Sequence, residues 1–257
     1  MRPVARQELI VGYLSRQGRM TVDGLAASLS ASRETIRRDL AALARAGRIR
    51  KYHGGAAPVG PSDTGSVTEG SFQARMGENV AAKRAVGQAA AALFKAGDSI
   101  FVDTGTTTVL FAEELGKLAG LTVITNSAMA AQHVGRSGQN RVFLVGGEYR
   151  DGSAQNVGRM AVEQIATLRA AHAVLTVGSI DVDGILDFDP EETEIARAMI
   201  AQARSVTVIA DGSKLGRPAV FKVCDYSRIQ RLVIDVPPEG EIRRALMAAG
   251  VEILVTG

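Results

Sequence analysis

The sequence predicts an α/β protein in two parts, a small helical module with a β-hairpin and a larger domain built on a mostly parallel sheet. Residues 1–47 carry the apolar spacing of three short helices, whereas from about residue 78 onward short apolar strands alternate with helices. Residues 58–77 are rich in Pro, Gly, Ser and Thr and lack apolar periodicity, which indicates a linker. The 257 residues, of which 46% are hydrophobic, suffice for two modest domains with buried cores.

Apolar spacing and capping residues predict the three helices of the first module. Thr21 and Ser32 stand where the N-caps of the second and third helices are expected, and Gly18 and Gly47 end the first and third. A short hairpin turning at Gly54–Gly55 follows in "RIRKYHGGAA". The apolar residues expected to form the small core are Leu9, Ile10, Tyr13, Leu14, Val22, Leu25, Leu29, Ile36, Leu40 and Leu43.

The second and third helices, joined by a tight turn in "LAASLSASRETIRRDL", form a helix-turn-helix pattern. The third helix of such a module fits the major groove of DNA, where its side chains reach base edges and phosphates. The hairpin would then be a wing that contacts the DNA backbone or the minor groove. The alternative is a three-helix cap whose basic face is only solvated. The residues predicted to contact DNA are Arg33, Thr35, Arg37, Arg38, Lys51 and His53.

The distribution of charge favours a polyanionic partner for this module. Residues 1–60 contain 11 Lys and Arg against 4 Asp and Glu, whereas the rest of the chain contains 19 against 23. A compact basic end on a mildly acidic body indicates that this end meets a polyanion, although many solvated helix faces are basic as well. The sequence has no Cys/His pairs of the kind a zinc site needs, so no metal is expected.

From about Glu78 onward, the alternation of strands and helices predicts a mostly parallel sheet covered on both faces. The predicted strands are Ser99–Asp103, Leu121–Asn126, Val142–Gly146, Ala173–Gly178, Val206–Ala210, Arg231–Asp235 and Val251–Val255. The predicted helices are Asn79–Lys95, Thr107–Leu118, Ala128–Gly135, Met160–Leu168, Pro190–Ala203 and Glu239–Ala248.

The stretch "FVDTGTTTVL" joins the first of these strands to a helix and is rich in hydroxyl groups. Backbone N–H groups at a helix N-terminus point toward a ligand, and the helix dipole favours an anion. Gly105 permits a close backbone approach, while Thr106, Thr107 and Thr108 add hydroxyl donors, so a phosphate is the expected occupant. The alternative is an ordinary helix cap without a ligand.

Other predicted strands also end in polar residues. Because the carboxyl ends of parallel strands lie on the same side of the sheet, these residues are expected to surround a common ligand. Lys214 is the strongest candidate for a second phosphate contact, and carboxylates could accept sugar hydroxyls. Each residue alone could instead cap a loop. The residues predicted to form a pocket for a small phosphorylated polyol, besides the loop 105–108, are Asp103, Asn126, Asp181, Asp211 and Lys214.

The chain resembles the DeoR family of bacterial transcriptional repressors over nearly its whole length. In the first module the resemblance lies in "TIRRDL" and "HGGA", and in the larger domain in "DTGTTT", "TVITNS", "LVGGEYR", "GSIDVDG" and "ADGSKLGR". It implies a winged helix-turn-helix domain (1–57), a linker (58–77) and a sensor domain (78–257) with a fold like ribose-5-phosphate isomerase. The chain departs from the family pattern at Lys51, where Arg is frequent, and at Ala196, where Lys is frequent.

A sensor is favoured over an enzyme because the predicted DNA-binding module has no evident use in a metabolic isomerase. We therefore predict a ligand-responsive repressor with no catalytic residues and no cofactor. Paired DNA half-sites imply a homo-oligomer, either a dimer or a tetramer. The single cysteine, Cys224, and the absence of an apolar stretch approaching ~18 residues favour a cytoplasmic protein associated with the nucleoid and not with a membrane.

The expected effector is sn-glycerol 3-phosphate. The segment "GSIDVDGILDFDPEE" (178–192) resembles the corresponding stretch of the glycerol-3-phosphate regulon repressors of that family. Leu186 and Phe188 could narrow the pocket and favour a three-carbon polyol, or they could pack beneath the following helix. A fructose- or tagatose-type phosphate is the alternative effector, and sugar-phosphate isomerisation is the alternative function.

Overall fold

The computed structural model divides into two compact units, Met1–Gly65 and Ser66–Gly257. The residues that the structure describes are 3–17, 20–45, 48–52, 54–58 and 69–257.

The first unit contains the three predicted helices and the predicted hairpin. Its elements are α1 (Pro3–Gln17), β1 (Met20–Thr21), α2 (Val22–Ser28), α3 (Arg33–Arg45), β2 (Ile49–Tyr52) and β3 (Gly55–Pro58). The hairpin strands β2 and β3 pair antiparallel, and the two-residue strand β1, which the sequence did not predict, extends them to the order β1-β3-β2.

Capping and burial in this unit mostly follow from the sequence, but Tyr13 and Val22 are only half-buried against the core. The predicted helix ends Gly18 and Gly47 lie outside the described residues. Thr21 Oγ1 accepts the Gly24 N–H at 3.0 Å and Ser32 Oγ accepts the Thr35 N–H at 3.1 Å, so both predicted N-caps are confirmed. The prediction for Leu9 was wrong: its side chain is 41% exposed, because the buried face of α1 runs through the residue after it. The buried apolar residues are Ile10, Leu14, Leu25, Leu29, Ile36, Leu40, Leu43, Ile49 and Ala56.

The larger unit alternates helices and strands along the chain. Its helices are α4 (Phe72–Met76), α5 (Val80–Ala91), α6 (Thr106–Leu115), α7 (Ala128–Gly135), α8 (Arg159–Ala166), α9 (Pro190–Gln202) and α10 (Gly240–Ala248). Its strands are β4 (Ser99–Val102), β5 (Thr122–Thr125), β6 (Arg141–Leu144), β7 (Glu148–Arg150), β8 (Gln155–Val157), β9 (Ala170–Leu175), β10 (Ser179–Asp181), β11 (Gly184–Asp187), β12 (Ala203–Ala210), β13 (Phe221–Cys224), β14 (Arg231–Ile234) and β15 (Glu252–Val255).

All seven predicted strands belong to one sheet, in the order β15-β14-β12-β9-β4-β5-β6, and every adjacent pair is parallel. Successive residues of a strand face opposite sides of such a sheet. Thus Ile100 and Val102 of β4 belong to the core beneath α5, α6 and α7, whereas Phe101 belongs to the core that contains residues of α8, α9 and α10. The prediction of a mostly parallel sheet covered on both faces is confirmed.

Two smaller antiparallel sheets, β10-β11-β13 and β7-β8, were not predicted. The segment predicted as a linker also differs, since Phe72–Met76 is helical, with Ser71 Oγ accepting the Ala74 N–H at 3.2 Å and Phe72 buried. Residues 59–68 of that segment lie outside the described residues. Within the described part of the chain, no helix combines the length and apolarity needed to cross a bilayer.

Candidate functional site

The strand order of the large sheet reverses between β4 and β9. Along the chain, β4, β5 and β6 proceed toward one edge, whereas β9, β12, β14 and β15 proceed toward the other. In open α/β sheets, ligands bind at the carboxyl ends of the strands beside such a reversal. Here Asp103 follows β4, and both of its carboxylate oxygens accept the N–H of Thr176, which follows β9, at 3.1 Å.

A small polar cavity lies at this reversal. The space left open is about 10 Å³, close to what one water molecule occupies. Two buried oxygens at its wall, Thr104 Oγ1 and Asn126 Oδ1, have no hydrogen-bond partner among the described residues. Buried polar atoms are normally hydrogen-bonded, so these two are available to a ligand. The lining residues are Asp103, Thr104, Asn126, Gln155, Asp187, Glu192, Ile195 and Ala196.

Three carboxyl groups share this cavity. Burial raises the pKa of Asp103 well above its usual range, although the hydrogen bond from Thr176 opposes the rise. Burial also raises the pKa of Asp187 and, with a contribution from Asp187, raises the pKa of Glu192 to about 7. The Gln155 amide donates to Glu192 Oε1 at 2.5 Å. Such a cluster suits the hydroxyl groups of a polyol, because carboxyl oxygens accept from them and protonated carboxyls donate to them.

The hydroxyl-rich loop forms the start of α6. Thr106, Thr107 and Thr108 are all buried, and Thr108 Oγ1 donates to the carbonyl oxygen of Gly105 at 2.9 Å. A Cβ at position 105 would lie 2.1 Å from the Thr176 hydroxyl, so glycine is required by the close approach of a neighbouring strand end. The threonine that lines the cavity is Thr104, which is not among the predicted contact residues.

A cluster of three cations surrounds the carboxylate of Glu69. Lys214 Nζ lies 2.6 Å from Glu69 Oε1, Arg75 Nη2 lies 3.1 Å from Oε2, and Arg217 Nη1 lies 4.0 Å from Oε1. We call Lys214, Arg75 and Arg217 the cation cluster. It adjoins the polar cavity, since the Arg217 guanidinium lies 4.8 Å from the ring centre of Phe188, the residue that follows the cavity residue Asp187.

The remaining predicted carboxylates hold the local structure. Asp211 Oδ1 accepts the Ser213 N–H at 3.0 Å and the Asn79 side-chain amide at 2.9 Å, and so caps the short turn Gly212–Lys214. Asp181 caps the turn between β10 and β11 by accepting the Asp183 N–H at 2.8 Å. Neither residue is among those that line the described cavity.

The structure thus brings only part of the predicted pocket together. Asp103 and Asn126 line the cavity, Lys214 lies in the cation cluster, and the loop 105–108 begins the helix that follows β4. The segment 178–192, noted in the sequence only for resemblance and size, supplies Asp187 and Glu192. The functional candidates that sequence reasoning missed are Glu69, Arg75, Thr104, Gln155, Asp187 and Glu192.

The predicted DNA-contacting face of α3 is basic. Arg37 is exposed and has no ion pair with a described residue. Arg33 contacts Asp23 at 2.6 Å and Arg38 contacts Glu34 at 3.3 Å, but exposed pairs of this kind are weak and can yield to a phosphate. Thr35 is half-buried and shares a hydrogen bond with Ser32. The side chain of Lys51 and the whole of His53 lie outside the described residues.

Comparisons with known proteins match both units. A family model for the DeoR-like helix-turn-helix domain matches residues 6–60, and one for the DeoR C terminal sensor domain matches residues 78–236. The glycerol-3-phosphate regulon repressor of Haemophilus influenzae is 32% identical over 243 residues, 93% of this chain and 92% of that protein. The repressor CsqR of Escherichia coli is 29% identical over 251 residues, 97% of this chain and 94% of that protein.

Among solved structures, a D-ribose-5-phosphate isomerase in complex with phospho-erythronic acid aligns over 52% of each chain, with 15% identity and a TM-score of 0.39.

Proposed function

We propose, because this chain belongs to the DeoR family of transcriptional repressors, that its larger domain senses a small phosphorylated polyol and thereby controls the binding of operator DNA. The chain is a repressor and not an enzyme, since the matched family models are a DNA-binding domain and a sensor domain and its relatives are named repressors. In this proposal it acts in the cytoplasm, at the operator.

The observation that carries the effector proposal is the juxtaposition of the cation cluster with the carboxyl-lined cavity. Lys214, only 8% exposed, supplies a buried positive charge for a phosphate. Asp103, Asp187 and Glu192 supply oxygen atoms for hydroxyl groups at the neighbouring cavity. A phosphorylated polyol presents these two kinds of group at its two ends.

We favour sn-glycerol 3-phosphate as the effector. The relatives from Haemophilus influenzae and Escherichia coli that are named for the glycerol-3-phosphate regulon match over 93% and 96% of this chain, respectively. Another relative, 30% identical, is a putative aga operon repressor, so sugar phosphates remain competitors for the site.

The effector is tested by titrating DNA release. A labelled fragment of the promoter region beside the gene is bound to the protein, and its fluorescence anisotropy is followed while each phosphate is added. The compounds are sn-glycerol 3-phosphate, fructose 1-phosphate, fructose 6-phosphate and deoxyribose 5-phosphate. Release by glycerol 3-phosphate at the lowest concentration supports the assignment. Release by a hexose or pentose phosphate at a lower concentration contradicts the glycerol 3-phosphate assignment but agrees with the assignment as a repressor.

We further propose that the protein binds its operator as a homo-oligomer, a dimer or a tetramer. Small helix-turn-helix modules gain specificity by reading paired half-sites, which requires at least two copies. Light scattering on the purified chain, alone and with operator DNA, tests this, and a monomer in the DNA complex would contradict it.

Arg37→Ala is expected to weaken operator binding without changing stability. The side chain is exposed on α3 and has no described ion partner, so its loss leaves the fold unchanged. If Arg37 contacts a phosphate, the slope of log affinity against log salt should fall by about one, and if it contacts a guanine, one base position should lose ~1–3 kcal/mol of discrimination. Arg136→Ala, an exposed arginine on the sensor domain, is the matched control. If both variants bind the operator with equal affinity at several salt concentrations, Arg37 does not contact the DNA.

A further inference from the structure

The Glu69 carboxylate occupies the place where an anionic ligand would be bound. Its two oxygens are divided among the cation cluster, with Oε1 facing Lys214 and Arg217 and Oε2 facing Arg75. The side chain of Glu69 is only 13% exposed and that of Lys214 only 10%. This is a partly buried, multidentate anion site that already holds an anion from the chain itself.

The cation cluster requires an anion. Three cations gathered in a partly buried place repel one another, and removing the charge that pairs them is costly. A phosphate monoester can replace a carboxylate there, because both present charged oxygens to Lys and Arg donors and the phosphate has one oxygen more. The neighbouring cavity, at about 10 Å³, holds little beyond a water molecule, so a polyol phosphate can enter only if a group now filling the site moves.

The backbone of each cation is held in place independently of Glu69, although the Arg75 side chain also donates to the carbonyl oxygen of the neighbouring Gly70 at 3.0 Å. Arg75 belongs to α4, and its backbone carbonyl accepts a hydrogen bond from the buried Lys83 at 2.5 Å. The guanidinium of Arg217 lies 4.8 Å from the centre of the Phe188 ring, and Lys214 lies in the turn that Asp211 caps. Glu69 itself precedes the N-cap of α4 and lies in no helix or strand. The backbone that carries the cation cluster can therefore stay in place while Glu69 leaves, provided that a ligand anion replaces its charge.

We propose that Glu69 is an internal competitor of the effector phosphate, which takes its place on Lys214, Arg75 and Arg217. This inference rests on the proposed sensing of a phosphorylated effector at the same site. In the sequence, residues 59–68 separate Glu69 from Pro58, the end of the DNA-binding hairpin. Displacing Glu69 would therefore act at a point of the chain that is separated from that hairpin by ten residues in the sequence.

The competition has a measurable consequence for affinity. A ligand whose site is open only part of the time binds more weakly in proportion to the open fraction. An internal carboxylate is present at a high effective concentration, so it keeps the open fraction low. Glu69→Gln keeps the shape of the side chain and removes its charge, so the site should open.

The test measures binding of two probes, sn-glycerol 3-phosphate and inorganic phosphate, to the full chain by calorimetry. Glu69→Gln should bind both roughly 5- to 150-fold more tightly than the wild type. Glu194→Gln, an exposed residue on α9 with the same change in net charge, should bind as the wild type does. Thermal unfolding of both variants checks that they are folded.

A second measurement needs no variant. Hydrogen–deuterium exchange of the wild type is followed with and without saturating glycerol 3-phosphate. Amides of residues 69–71 should exchange faster with the ligand, while those around the cavity exchange more slowly. Slower exchange throughout, residues 69–71 included, would mean that Glu69 stays in place.

The outcomes separate the two proposals. If the wild type binds a probe and Glu69→Gln binds it no more tightly, the competition by Glu69 is refuted while phosphate sensing stands. If neither protein binds glycerol 3-phosphate or inorganic phosphate, both proposals fail. If both variants gain affinity equally, the effect is one of net charge and Glu69 has no special role.

Discussion

Replacing Glu192 with glutamine is expected to raise the free energy of unfolding by about 3 kcal/mol at pH 8 and to leave it nearly unchanged at pH 4. Burial, together with Asp187, raises the pKa of Glu192 from 4.5 to about 7 in the folded protein. The folded state thus holds a proton that the unfolded chain releases. The resulting stabilisation is complete below the unfolded pKa of 4.5 and is lost as the pH rises through about 7.

Glutamine removes this titration and keeps the contacts. Its carbonyl oxygen can still accept the hydrogen bond that Gln155 donates to Glu192. Urea unfolding of the two proteins at pH 4, 6 and 8 gives the difference at each pH. Glu194→Gln, at an exposed position two residues along α9, should show no such difference. A gap between wild type and Glu192→Gln that does not grow with pH would show that the carboxyl is not protonated in the fold.

The parallel sheet was predictable because its five inner strands are short apolar runs covered on both faces, whereas the edge strands β6 and β15 are partly exposed. A run such as "SIFV" has no solvent-facing side, so burial in a sheet between two helical layers is its stable arrangement. The order of the strands was not predictable in the same way. The strand order depends on the pairing of β4 with β9 at the reversal, and the sequence of neither strand indicates which strand lies beside it.

The site was only partly predictable because its residues come from irregular segments. Asp103 and Asn126 directly follow strands, so the rule about carboxyl ends identifies them. Asp187 lies at the end of β11, in a small antiparallel sheet assembled from short strands that have no strong alternation. The prediction chose Thr106, Thr107 and Thr108 and left out Thr104, because the direction of a hydroxyl group within a turn does not follow from composition.

Glu69 is the site residue that was hardest to predict from the sequence. It lies in a stretch whose Gly, Ser and Thr content predicts a linker, and composition alone assigns no partner to it. Its position depends on an ion pair with Lys214, a residue 145 positions later in the chain. A contact between residues so far apart in the chain forms only in the folded protein, so no local sequence pattern predicts it.

Lys214→Gln is expected to produce a repressor that binds operator DNA but no longer responds to its effector. A hydrogen bond to a charged group contributes ~1.5–3 kcal/mol, so loss of the ammonium should weaken effector binding by at most roughly 10- to 150-fold. DNA affinity without effector should be unchanged, since Arg37 and its neighbours on α3 are untouched. Lys117→Gln, at an exposed lysine two residues after the end of α6, provides the control.

The same substitution also tests whether the effector phosphate competes with Glu69 for Lys214. In the otherwise wild-type chain, Lys214→Gln weakens the hold on Glu69 as well as on the phosphate, so the two losses partly cancel. In a Glu69→Gln background only the phosphate loses a partner, and the loss of glycerol 3-phosphate affinity should be larger. A double-mutant cycle measures this difference by calorimetry. Equal losses in the two backgrounds would show that Lys214 binds the effector without competition from Glu69, and no loss in either would place the phosphate elsewhere.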